Sequence, residues 1–367
     1  MAEDQNTTDD AYRIPELPLL TKVRHGATAF AVQNLLVRPA SFFRGVKEYV
    51  ITPENRPELV KTIFFPKDYD RTSKDQLPVL FTIHGGGFVV GTPNDNDDWN
   101  QAYASQHSSV VIGLNYGKAP ANPFPKPVYD CEALFLAALD DESLPLDRTR
   151  VALLGWSAGG NLALAAAQLE SVRKRLACLV PVYPATDLSV EGVDKAPSRR
   201  YKPELGGFRA KGRDFLLDIA PTFDWAYKVP GGCSRDPLMS PYFASKDALP
   251  KRVFLLACEL DMLAHEGQRL IHQLAGRPPP PPTVGKQETA GKGELILDDE
   301  RFHFEVSSAD GSAYRWLLVP DTVHGFDQHL EGLVRDPALL EDANIKTQKT
   351  IDIIGEWVLQ SPPTSAA

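Results

Sequence analysis

The stretch Val151-Ala152-Leu153-Leu154-Gly155-Trp156-Ser157-Ala158-Gly159-Gly160 decides the fold. Val151 to Trp156 is short and apolar, the composition of a strand buried on both faces, and Ala158 to Glu170 is alanine-rich and reads as a helix. Between them a serine stands in Gly-x-Ser-x-Gly, where glycines on both sides let strand and helix approach closely. The helix amino terminus puts partial positive charge beside the serine oxygen. By composition alone this pentapeptide turns up in roughly one chain in eight of such length, so the strand before it and the helix after it are what give it weight. The competing reading is a serine that only caps a helix.

Working outward, strands are expected at Val46 to Thr52, Leu59 to Phe65, Val79 to His84, Ser109 to Tyr116, Cys178 to Tyr183, Val253 to Glu259 and Arg315 to Val319. Helices are expected at Asp98 to Gln106, Pro127 to Leu139, His265 to Leu274 and Ile345 to Leu359. Strands alternating with helices predict an α/β fold with a mostly parallel sheet between helical layers, because parallel neighbours need a crossover. Ligands in such sheets lie beyond the carboxyl ends of the strands. The loops that follow strands therefore carry the argument.

Two segments break the alternation. Residues 187–237 are too long for one crossover and carry the aromatic-rich stretch Phe215 to Lys228. They leave from the carboxyl end of a strand and are expected to fold over the site as a lid, together with an N-terminal cap segment, residues 1–44. The catalytic domain then comprises residues 45–186 and 238–360. Residues 277–311 open with five prolines, Pro278 to Pro282, and form a stiff extended spacer. In this second insertion Glu294 to Leu297 and Phe302 to Val306 are expected to pair as a hairpin. Because it enters at the amino end of the last strand, it is expected on the side away from the catalytic loops and outside the substrate pocket. It is expected to meet a neighbouring subunit or another protein, or to be a tolerated surface loop.

His84-Gly85-Gly86-Gly87-Phe88 follows the third strand. Glycines leave the backbone amides bare, and those of Gly86 and Gly87 with that of Ala158 suit an oxyanion. A flexible turn is the plain alternative, and His84 is assigned a structural hydrogen bond. Of eight histidines, His324 follows the last strand directly and is the expected base for Ser157. Asp261 closes a strand between serine and histidine in sequence and is the expected acid that orients the imidazole. Glu259, still in the strand, is its rival, and Glu266 already lies on the next helix. Phe88, Trp156, Phe215 and Trp225 are the expected substrate-binding residues. No paired histidine or cysteine spacing of a metal site occurs, and no phosphate loop or dinucleotide fingerprint, so no metal or other cofactor is expected.

The chain has 367 residues with 43% hydrophobic and 24% charged side chains, the balance of a chain that buries a core. A net charge of -9 without a long basic run argues against nucleic acid as a partner. Met1 to Leu20 is acidic and lacks a signal-like apolar core, and no apolar run is long enough for a transmembrane segment, so a cytoplasmic location is expected. The four scattered cysteines read as buried thiols.

Together these motifs, with Asn115-Tyr116, Ala119-Pro120, Pro123-Phe124-Pro125, Tyr183-Pro184, Asp236-Pro237 and Ser240-Pro241, resemble the hormone-sensitive lipase-like branch of the α/β-hydrolase family. That branch includes class IV esterases and arylacetamide deacetylases. The resemblance implies an eight-stranded sheet, a helical cap, and a serine esterase acting on small-molecule esters of short to medium acyl chains. It also implies a homodimer through the last strand. The chain departs from the family pattern at Trp156 and Asn115, where an aspartate is usual, at Ala121, where a glutamate is usual, and in the 277–311 insertion. Lactonase, acyl-transfer or cyclase chemistry, or a non-catalytic receptor such as the gibberellin receptors that resemble this family, are the alternative readings.

Overall fold

The structure is a computed structural model that describes residues 11–37, 50–51, 59, 61–287, 294–295, 297–328, 336–362 and 364. Among these residues eleven strands are β1 Val50–Ile51, β2 Lys61–Phe64, β3 Leu77–Ile83, β4 Val110–Leu114, β5 Leu146–Trp156, β6 Cys178–Val182, β7 Arg200–Tyr201, β8 Arg252–Cys258, β9 Gly285–Lys286, β10 His303–Ser307 and β11 Ala313–Val319. Nine of them form one sheet in the order β1-β2-β4-β3-β5-β6-β8-β11-β10, and β7 pairs with β9 apart from it. From β4 to β11 every neighbouring pair is parallel, while β2 and β10 join the edges antiparallel. The strands from Leu59 to Val319 fall within a few residues of expectation. Most of the first expected strand, residues 46–49 and 52, lies outside the described residues.

The helices of eight residues or more are α1 Leu19–Ala31, α2 Asp97–Gln106, α3 Lys126–Leu139, α4 Ala158–Ala166, α5 Ala220–Tyr227, α6 Ala264–Leu274 and α7 Pro337–Leu359. The two-residue period of the strands sorts the core between two faces. Val79, Phe81 and Ile83 of β3 pack with Leu134 of α3, Leu162 of α4 and Leu270 of α6, whereas Leu80 faces the layer of Trp99 and Tyr103 from α2 and Ile354 and Trp357 from α7. The closing helix begins eight residues earlier than its apolar spacing suggested, because Asp336 caps it by accepting the Ala338 amide at 3.1 Å and Pro337 opens its first turn.

The insertion departs from several expectations. Its His303–Ser307 stretch runs antiparallel along β11 and not as a hairpin with Glu294 and Leu295, giving nine strands in the main sheet among the described residues where eight were expected. The last strand is consequently not the sheet edge, since β10 lies outside it. The insertion also does not stay on the far side. Residues 277 to 284 form no helix, and with five prolines such a run at about 3.1 Å per residue reaches some 25 Å, the length of a seven-residue strand. They carry the chain from the foot of α6 to the carboxyl end of the sheet, where Gly285 and Lys286 pair in parallel with Arg200 and Tyr201 of the 187–237 segment. The insertion therefore meets that segment of its own chain. The N-terminal segment meets it as well: α1 lies against α5, and Arg13 bridges to Cys233.

Candidate active site

Ser157 sits at the corner between β5 and α4 with φ 55° and ψ -117°, a left-handed setting that costs about 1 to 3 kcal/mol for a residue with a side chain. The corner closes only because both flanking glycines lack a Cβ. One added at Gly155 would strike the Gly159 carbonyl, and one at Gly159 the Ile83 carbonyl at the end of β3. The Ser157 amide donates to Val182 O at 2.9 Å, which ties the corner to β6.

His324 Nε2 lies 2.8 Å from Ser157 Oγ, and its Nδ1 lies 2.7 Å from Asp261 Oδ2. The second oxygen of Asp261 accepts the Leu263 amide at 2.9 Å, which fixes the carboxylate plane. Burial alone would lower the His324 pKa, but the charge and hydrogen bond of Asp261, then the charges of Asp214 and Asp327, outweigh it and leave the ring above its ordinary 6.5. Glu259, the rival acid, is engaged elsewhere: its Oε2 accepts Lys202 Nζ at 2.8 Å and the Asp321 amide at 2.9 Å.

Gly86 and Gly87 follow β3 with φ 108° and 59°. A side chain on Gly87 would enter the Phe223 ring, so the loop and α5 touch here. Gly87, Ser157 and Ala158 line the same cavity, which puts the glycine loop and the amino end of α4 beside the serine. His84 is structural as expected, with its ring 2.7 Å from Gly85 O, 3.3 Å from Asn115 Oδ1 and stacked on Tyr116.

A cavity of about 80 Å³ opens on Ser157, walled by Gly87, Phe88, Leu188, Leu216, Phe223 and Met262. Of the four expected substrate-binding residues only Phe88 lines it. Trp156 points into the core at 1% exposure, its ring edge-on to Trp99 and its Nε1 donating to Asp327 Oδ2 at 2.9 Å. Alternation along β5 requires this, since the residue beside the serine faces away from it. Phe215 turns to Phe208, and Trp225 stacks on His25 in a separate groove of about 630 Å³ between α1 and the 187–237 segment. Groove and cavity share Leu188, Gly192 and Asp224 in their walls. Among the described residues of the insertion, none lines the cavity. Among the remaining histidines, His329 lies outside the described residues.

Sequence reading missed Asp214, Asp327 and Lys202, because each reaches the site through a contact with a residue at least 48 positions distant and carries no local motif. Among the described residues no three His, Cys, Asp or Glu side chains gather as a metal set. None of the described helices is long and apolar enough to cross a membrane.

Residues 80–278 match a family described as the alpha/beta hydrolase fold. The chain is 29% identical over 211 residues to an acetyl-hydrolase of Streptomyces hygroscopicus, covering 57% of this chain and 65% of that protein. It is 33% identical over 200 residues to an ethyl acetate hydrolase of Pseudomonas putida, covering 51% and 57%. These alignments span less than two thirds of the relatives' own lengths. A hyperthermophilic esterase from Pyrobaculum calidifontis superposes with a TM-score of 0.62 at 21% identity, over 94% of this chain and 99% of that one, a likeness of fold. The chain belongs to the α/β-hydrolase fold family, and the relatives it matches bear out the hormone-sensitive lipase-like resemblance carried by its motifs.

Proposed function

We propose that this chain hydrolyses carboxylic esters of short to medium acyl chains through an acyl-enzyme. Ser157 is the nucleophile, His324 the base, Asp261 the acid that orients it, and the amides of Gly86, Gly87 and Ala158 the oxyanion donors. The observation that carries this reading is the continuous hydrogen-bonded line from Ser157 Oγ through His324 to Asp261, 2.8 and 2.7 Å, at a cavity that Gly87 and Ala158 also line. Ser157 Oγ adds to the ester carbonyl as His324 Nε2 takes its proton, and the imidazolium is stabilised by Asp261. The tetrahedral oxyanion is held by the three amides, each such donor being worth about 3 to 4 kcal/mol of barrier. Collapse expels the alcohol, which receives the proton from His324; water then repeats the sequence on the acyl-enzyme and releases the acid.

The apolar cavity of about 80 Å³ supports a small acyl group, and the adjoining groove leaves room for a larger alcohol portion. Residues 187–237 with the N-terminal segment act as the lid. A fluorophosphonate should label Ser157, and Ser157→Ala should abolish both labelling and p-nitrophenyl butyrate cleavage. Unchanged turnover by that variant would defeat the reading. The open groove also favours acyl transfer as a second reading, and product analysis with added alcohol separates the two: transfer requires the alcohol to intercept the acyl group better than water does.

A further inference from the structure

The lid reaches the catalytic loops through two buried cations that flank one short strand. Lys202, its side chain 4% exposed, donates from Nζ to Glu259 Oε2 at 2.8 Å and to Asp321 Oδ1 at 2.5 Å. Glu259 stands two residues before Asp261, and Asp321 three residues before His324. The same Glu259 oxygen accepts the Asp321 amide, and the Leu260 amide donates to Thr322 O at 2.9 Å, so one ammonium closes the roots of both loops into a single knot. Burial alone would lower the Lys202 pKa, but its hydrogen bonds and the two charges outweigh this and raise it, so the cation persists. Arg199 acts in parallel: its Nε donates to Asp214 Oδ2 at 2.9 Å, and that oxygen accepts the Met262 amide at 3.0 Å, next to Asp261.

Arg199 and Lys202 flank β7, whose backbone is held from outside by the insertion. The Gly285 amide donates to Arg199 O at 3.1 Å and the Gln287 amide to Tyr201 O at 2.9 Å. The strap is tied at its start, with His272 Nδ1 2.6 Å from Pro278 O, and the prolines before β9 have little backbone freedom left to lose on docking. A two-residue lid strand has too few hydrogen bonds to stay in register alone.

We propose that Lys202 is a positioning residue for the acid and base loops, and that the proline-rich insertion is an intramolecular strap that keeps β7, and with it Lys202, in register. This rests on the roles proposed above for Asp261 and His324. A displaced loop weakens the chemical step far more than the binding of a small ester, because the reacting groups need near-contact geometry.

The test uses the full chain. Lys202→Met should lower kcat for p-nitrophenyl butyrate roughly tenfold to a hundredfold with KM little changed, and Lys202→Arg should recover most of it. Lys202→Met leaves two carboxylates without their cation and can fail to fold. Gln287→Pro removes one strap amide at the surface and should lower kcat in the same direction, while Gln287→Ala keeps that amide and should match the wild type. Hydrogen exchange of peptides spanning 259–263 and 321–325 reads loop order without turnover; it should speed up in Gln287→Pro and in any folded Lys202→Met. Wild-type kcat and wild-type exchange in folded Lys202→Met overturn the positioning role, and the same result in Gln287→Pro overturns the strap. A wild-type chain that is neither labelled at Ser157 nor hydrolytic would instead overturn the ester-hydrolase reading, and exchange alone would then decide the strap.

Discussion

At the scale of single residues, Trp156 and Asp327 link the two halves of the site. The indole donates to Asp327 Oδ2, and Tyr183 Oη donates to Oδ1, so a carboxylate three residues past His324 is held against the residue just before Ser157. Burial raises the Asp327 pKa, and its charge in turn helps to hold His324 protonated. Asp327→Asn removes a negative charge near the imidazolium, so the His324 pKa should fall and the acid limb of kcat/KM should move to lower pH. A pH profile of ester cleavage measures this, and a limb that stays put or moves to higher pH would contradict it. The family's usual aspartate before the serine is thus replaced here by a donor with an acid partner of its own.

At the scale of elements, the crossing of β3, β5 and α4 leaves no room for a methyl group. The carbonyl of Gly159 closes over Gly155, and that of Ile83 over Gly159, backbone against backbone. Gly159→Ala should therefore shift helix against strand and cost about 1 to 3 kcal/mol, as overpacking does. Urea unfolding measures the loss, and activity should fall by more than stability because the Ala158 amide moves with the helix. Wild-type activity in a folded Gly159→Ala chain would show that the corner tolerates the shift.

At the scale of the whole molecule, burial couples stability to pH. His25, His84, His107, His265, His272 and His303 are all lowered from 6.5, chiefly by desolvation, and His84 lies well below it. Below pH 6.5 the unfolded chain binds protons on these rings that the folded chain refuses, so their contribution to stability is lost as pH falls. His324, Asp214, Glu266 and Asp327, whose pKa values are raised, act in the opposite sense. With six rings against four groups, the urea midpoint should drop between about pH 7.5 and pH 5.5, and His84→Gln should flatten the slope. A midpoint that climbs over the same interval would show that the raised acids dominate.

By itself the sequence determined the parallel sheet, its strands from Leu59 onward, and the assignment of Ser157, Asp261 and His324 to one rim, because each of those signals is local. A strand, the turn after it and the helix that follows are written in adjacent residues, and chain order places strand ends on a common edge. Tertiary structure alone decided which aromatic side chains face the cavity, which acid serves Lys202, and where the insertion goes. Those outcomes depend on contacts between segments far apart in the chain, where side-chain direction and the reach of an extended proline run outweigh any local preference.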